Sequence, residues 1–287
     1  MKIMVAKVVR IWKLRGIFTM SDLQINQKYF YSLKEIRSQI HLDENFRIGI
    51  RFIDKQGGLP LYEITEIFGP AGSGKTIFLH QCLSYFLLED DNRTAIFMDP
   101  DGTFDPKKII YCLKEESVDI DSILRRVYVW RPTFSSNFAE KIKTQIDFIL
   151  DRNLSSSILI LIDSLPNLLF MDYMDRIKFN EKYLRSKARF IIRLGMTLRY
   201  LIDNFKTTVL VSNHIRSYIS LSKTSLTKVR SQTTINLPAL GDLWDFFVDN
   251  RIYLRKTGKQ KRVIHIVFSS ILKETFSLID FANGRFY

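Results

Sequence analysis

Short apolar runs rich in Ile, Val, Leu and Phe recur along most of the chain, at 64–68, 94–98, 127–130, 158–162, 208–212, 251–254 and 263–268. Each has the length of a strand and is apolar on both sides, the pattern of strands buried under two layers. Between most of them lie amphipathic stretches of helical period, so strands alternate with helices and predict a largely parallel sheet covered on two sides. The last two runs are separated only by Lys256-Thr-Gly-Lys-Gln260 and predict an antiparallel hairpin at the sheet edge. Ahead of residue 46 the pattern is different. Val5, Val8, Val9 and Trp12 fall at helical spacing, and residues 19–22 carry a helix-start signature. Residues 1–45 therefore read as a small helical N-terminal unit or linker, and 46–287 as one α/β core, with no internal repeat.

Composition narrows the class. The chain has 287 residues, 46% of them hydrophobic, which is globular and large enough for a substantial core. No apolar run approaches the ~20 residues of a membrane span, so no membrane partner is expected. Two cysteines, Cys82 and Cys112, are too few for a disulfide framework and point to a reducing compartment. The formal net charge of +13, from 43 Lys and Arg against 30 Asp and Glu, favours a polyanionic partner but is equally compatible with acidic lipid or plain solubility. The N-terminus is basic and has no acid before Asp22, as a surface helix or a transit peptide would be.

The chemistry is concentrated at Gly69-Pro70-Ala71-Gly72-Ser73-Gly74-Lys75-Thr76, between a strand (64–68) and a helix (77–88). This is a complete phosphate-binding loop in the setting that the motif requires. Glycines let backbone N–H groups turn inward around a β-phosphate, Lys75 spans the β- and γ-phosphates, and the Thr76 hydroxyl is a ligand for Mg²⁺. The helix N-terminus adds unpaired N–H groups and a favourable dipole. Downstream, the 158–162 strand delivers Asp163 at its C-terminal end, where ligands bind in open α/β sheets, and Asp163 is the expected second metal-site residue. The 94–98 strand ends in Asp99 and Asp101, of which one is expected to orient the attacking water and the other to cap a helix. Ser212, Asn213 and His214 close a further strand with polar groups that either sense a γ-phosphate or stay structural.

In this order the motifs resemble the RecA-like strand-exchange recombinases of eukaryotes and archaea, and in particular their paralogues. The resemblance runs from about residue 46 to the C-terminus. It is carried by Thr65-Glu-Ile-Phe-Gly69, the phosphate loop, Met98-Asp-Pro-Asp-Gly-Thr-Phe-Asp-Pro106, Asp163-Ser164, Asp203-Asn-Phe with Val209-Leu-Val-Ser-Asn213, and Arg251-Ile-Tyr-Leu-Arg-Lys256. Residues 238–251, with their Pro-Ala-Leu-Gly and Trp, and Ser212-Asn213-His214 look most like the D-type paralogue. Asp101 and the short N-terminal region resemble the X-ray-cross-complementing two-type instead.

The resemblance implies a RecA-like nucleotide-binding core for ATP and Mg²⁺, with Asp101 and Lys75 catalytic, residues 69–76 and Asn213 at the nucleotide, and Thr76 and Asp163 at the metal. It implies two DNA-facing loops, one with Arg176 and Lys178, the other between 215 and 237 with Arg216, Lys223, Lys228 and Arg230. That second loop is basic and acid-free, suited to phosphate contacts with single-stranded DNA. Its further implications are nuclear localisation and a hetero-oligomer with other paralogues and the main recombinase, with Phe30 of Lys28-Tyr-Phe-Tyr-Ser-Leu33 as either docking residue or core residue. Three departures stand against self-assembly and fast turnover. Asp101 replaces a Glu, leaving its carboxylate about 1 Å short of the hydrolytic water; Phe268 occupies the place of an Asp that caps the neighbour's nucleotide; His214 replaces a Gln. The resulting expectation is an ATP- and single-stranded-DNA-binding accessory factor for recombinase filaments in homologous recombination and repair, with weak or partner-dependent ATPase activity. The rivals are an active filament-forming recombinase and a nucleotide-stabilised scaffold.

Overall fold

The computed structural model describes residues 44–132, 144, 157–171, 181–222 and 231–287. Nine of the thirteen described strands join one sheet. In chain order the elements are β1 (Asn45–Phe46), α1 (Arg51–Asp54), β2 (Leu59–Pro60), β3 (Ile64–Phe68), α2 (Lys75–Glu89), β4 (Arg93–Met98), α3 (Pro106–Cys112), α4 (Ile120–Leu124), β5 (Val127–Trp130), β6 (Ser157–Ile162), α5 (Leu165–Met171), α6 (Glu181–Phe205), β7 (Thr207–Asn213), β8 (Ile215–Ser222), β9 (Ser231–Pro238), α7 (Asp242–Asp245), β10 (Asn250–Lys256), β11 (Lys261–Phe268), β12 (Thr275–Ala282) and β13 (Arg285–Phe286). The sheet order is β13-β12-β11-β10-β3-β7-β6-β4-β5. From β10 through β5 every pairing is parallel, and β10 to β13 form an antiparallel meander. Each expected strand is present. Beyond the expected hairpin the sheet gains β12 and β13. β12 alternates and is half-exposed, and β13 is only two residues long, so neither has the continuous apolar run that marks the parallel strands.

The central strands β3, β6 and β7 are buried at every position. The sheet is therefore covered on both sides. On one face Leu159, Leu161, Leu210, Ile252 and Ile264 pack against α2, which is itself apolar nearly all round and buries Phe78, Leu79, Leu83 and Phe86. On the other, Ile64, Ile160, Val209 and Val211 meet Ile191, Leu194, Leu198 and Leu201 of α6, an amphipathic helix whose apolar positions fall three and four apart. Gly195 of α6 lies where any Cβ would collide with the Phe247 ring, so glycine is what lets α6 approach the α7 segment. Phe46 packs edge-on against Phe86 of α2, which ties β1 to the core, and Asn45 pairs with Pro60. The first strand thus straddles the 45/46 boundary expected from sequence. The helical unit expected before it, including Phe30, lies outside the described residues.

In the segment 215–237, expected as a loop, the described residues form two paired antiparallel strands, β8 and β9, separate from the main sheet. The segment leaves β7 at His214, on the same end of the sheet as the phosphate loop. Its Thr, Ile and Ser content is strand-compatible, but its basic residues and polarity masked that signal.

Candidate nucleotide site

The phosphate loop stands where the topology predicts, at the C-terminal end of β3 and the start of α2. Gly74 caps α2 with φ 104° and ψ 14°, a left-handed conformation, and a Cβ there would come within 2.9 Å of Phe286. Gly69 abuts the Leu254 carbonyl of β10 so closely that no side chain fits. The buried Lys75 curls over its own loop, donating to the carbonyls of Gly69 at 2.8 Å and Pro70 at 3.0 Å. Burial holds its ammonium below the usual lysine range, and the charge of Asp163 partly offsets this.

Asp163 follows β6 and is 5% exposed. Its Oδ1 accepts from Ser212 Oγ at 2.5 Å, while Oδ2 is buried without a partner, as is Ser73 Oγ in the phosphate loop. A buried carboxylate oxygen without a donor is costly unless a cation or water meets it. Asp163 and Thr76 thus fit a divalent cation, and the loop fits the phosphates that such a cation accompanies. When bound, magnesium supplies charge neutralisation on the phosphate oxygens.

The two acids after β4 divide cleanly. Asp99, 1% exposed, accepts from the Thr103 N–H at 2.7 Å and the Phe104 N–H at 3.2 Å, and pairs with Arg131 at 3.2 Å. It is committed to closing its own loop. The helix cap is neither of the pair but Asp105, which accepts from the Lys107 N–H at 2.9 Å at the start of α3. Asp101 stays exposed, accepts from Asn167 Nδ2 of α5 at 2.6 Å, and has its pKa raised by partial burial and by the charge of Asp163. His214 lies 3.3 Å from Ser164 Oγ, and desolvation together with Lys75 lowers its pKa while Asp101 and Asp163 oppose the shift. Lys75, Asp101, Asp163 and His214 therefore share one electrostatic site, although they come from four different segments.

His80 was not apparent as a site residue from sequence. It is fully buried on α2, one turn after Thr76, with Nδ1 2.7 Å from the Thr76 carbonyl and Nε2 3.4 Å from the Asp105 N–H. Geometry assigns the proton to Nδ1, which donates, and leaves Nε2 to accept. The ring stacks on Phe104 at 5.2 Å between centroids. His80 thus ties the start of α2 to the loop that carries Asp101. A lone His in an apolar helix was the available signal.

Asn213 turns to the opposite face of the sheet. It is fully buried and donates to Glu66 at 2.7 Å, and Glu66 also pairs with Arg251 at 2.5 Å, which in turn pairs with Asp245. Burial raises the Glu66 pKa, against the pull of Arg251 and Asn213. Among the residues expected at DNA, Arg216 is exposed at the base of the β8–β9 hairpin, 3.8 Å from Asp242. Arg176, Lys178, Lys223, Lys228 and Arg230 lie outside the described residues. None of the described helices is long and apolar enough to cross a membrane.

A parallel α/β sheet with a complete phosphate loop, a buried Asp at the C-terminal end of the next strand but one and an antiparallel C-terminal meander defines a RecA-like nucleotide-binding core. The Rad51 family model matches residues 45–284, and the chain belongs to that family. It is 27% identical over 217 residues to the DNA repair and recombination protein RadA of Cenarchaeum symbiosum, covering 74% of this chain and 50% of the relative. It is 32% identical over 176 residues to RadA of Methanococcus voltae, covering 55% and 52%. It is 22% identical over 240 residues to the human DNA repair protein RAD51 homolog 2, covering 75% and 60%. The chain thus spans between half and three fifths of the length of these relatives.

Proposed function

We propose that the chain is an ATP- and single-stranded-DNA-binding member of the recombinase paralogues that assists recombinase filaments in homologous recombination and DNA repair in the nucleus. The observation that carries the nucleotide part is the unpaired Asp163 Oδ2 sharing one electrostatic site with Lys75. In this reading the backbone N–H groups of 69–76 and Lys75 bind the phosphates, Thr76 and Asp163 hold Mg²⁺, and Asp101 orients a water molecule. Asn213 acts behind the site through Glu66. Arg216, at the base of the β8–β9 hairpin, together with Lys223, Lys228 and Arg230 and with Arg176 and Lys178, contacts the DNA backbone.

Asp101 supports slow turnover. It is anchored by Asn167, which holds the short carboxylate back against α5 rather than leaving it free to follow a water molecule. Partner subunits are other paralogues and the main recombinase. Turnover of ATP by the isolated chain, with and without single-stranded DNA and with candidate partners, tests the reading. Slow basal turnover that rises with a partner is expected; fast DNA-stimulated turnover by the chain alone overturns the accessory role.

A further inference from the structure

Arg262 is a buried cation whose internal contacts are all neutral. It is 5% exposed on β11, and among the described residues no carboxylate pairs with it. Its Nη1 donates to the carbonyls of Gly258 at 3.0 Å and Lys261 at 3.0 Å, with Lys259 at 3.4 Å, and its guanidinium lies 4.3 Å from the centre of the Phe281 ring. Its Nε is buried with no acceptor at all. A desolvated guanidinium costs several kcal/mol unless an anion compensates it, and neutral carbonyls and a ring compensate only in part. Accordingly burial alone acts on its pKa, downward.

The place of this unpaired charge is informative. β10 runs parallel to β3 with Tyr253 opposite Phe68, so the β10–β11 turn stands beside the phosphate loop. Arg262 pairs with Lys256 in the register just after that turn. Its Nε lies 3.9 Å from the position of a Cβ on Gly74, the residue that caps the phosphate-loop helix. A buried cation without an anion and a loop built for an anion are therefore neighbours.

We propose that Arg262 is a second phosphate-binding cation of the nucleotide site, reaching the diphosphate from the hairpin side and complementing Lys75 on the other. This rests on the nucleotide reading above and adds to it a residue that comes from outside the phosphate-loop motif. Arg suits the role because its planar donor set binds phosphate oxygens in pairs, which the point charge of a lysine does not.

The test uses the full chain and its Arg262→Gln and Arg262→Lys variants, with Mg²⁺-ADP, pyrophosphate and adenosine as probes in calorimetry. The Gln variant is expected to bind ADP about tenfold more weakly and the Lys variant about threefold. A Gln variant that binds ADP within twofold of the parent overturns the proposal. Should the Gln variant misfold, the Nε–H resonance of Arg262 in the ¹⁵N-labelled parent, assigned by its loss in the Lys variant, decides. It is expected to move with ADP and with pyrophosphate but not with adenosine. A stationary resonance at saturating ADP overturns this proposal alone, whereas no ADP uptake by the parent overturns the nucleotide reading itself and this inference with it.

Discussion

The two faces of strands β3, β7 and β10 each bury charged and polar groups, and they treat them in opposite ways. On the α6 and α7 face, Glu66, Asn213, Arg251 and Asp245 form a chain of short contacts in which every charged group has a partner, and the one unpaired atom is the neutral Asn213 Oδ1. On the α2 face, Asp163 keeps one oxygen unpaired, as does the hydroxyl of Ser73, and Lys75 reaches only loop carbonyls. A closed network satisfies its members with one another and gives rigidity; a site that takes a ligand leaves capacity unspent. The same contrast separates Asp99, whose oxygens are all engaged in shaping a loop, from Asp101, two residues on and open to solvent.

The contrast can be broken most forcefully on the closed face. Arg251→Ala strands Glu66 with no counter-charge, and a loss of about 3–5 kcal/mol in unfolding free energy is expected by denaturant titration, as for other buried pairs cut on one side. A loss under about 1 kcal/mol would mean that the network is ornamental. On the open face the largest effect falls on the ligand. Lys75→Ala is expected to weaken Mg²⁺-ATP binding about a hundredfold, some 2.7 kcal/mol, in equilibrium binding of labelled nucleotide, while the ligand-free unfolding midpoint stays close to the parent's.

His80 sharpens the comparison through pH. Burial depresses its pKa to about 4 from an ordinary 6.5, so between those values the unfolded chain binds a proton that the folded chain refuses. Stability from this group is complete above pH ~6.5 and is lost as pH falls toward about 4, with roughly 2 kcal/mol gone at pH 5 relative to pH 7. Urea titrations at the two pH values read this, and His80→Gln should remove most of the difference. Equal pH dependence in parent and variant would rule out His80 as the group responsible.

The smallest expected effect is Asp163→Asn. Because Oδ2 has no partner, removing the charge should change ligand-free stability by less than about 1 kcal/mol, and relief of burial could even raise it. The same change should abolish the Mg²⁺ dependence of nucleotide binding. A large ligand-free destabilisation would put Asp163 with the closed network.

Much of this was legible from residue order. Runs of Ile, Leu and Val specify the parallel strands because burial on two faces requires apolar side chains at every position, and Gly69–Thr76 specifies its own turn because glycine conformations and helix start are local properties. Less was legible where the signal is diffuse. β8 and β9 are rich in Ser, Thr, Asn and Gln, and β12 alternates with exposed Phe276 and Leu278, so none of them carries the unbroken apolar run of a central strand. Glu66 and Arg251 are single charges inside strand-like runs, which marks them as unusual without naming their partners.

The chain's order of residues by itself determined the α/β class, the phosphate loop and the acids that follow β4 and β6, because each depends on neighbours within a few positions. Only the tertiary structure decided that Asp99 is spent and Asp101 is not, that Asn213 faces Glu66, and that Arg262, some 190 residues from Gly74, stands beside it. Those facts depend on strand order and register, which bring distant segments together through pairing that no local pattern encodes.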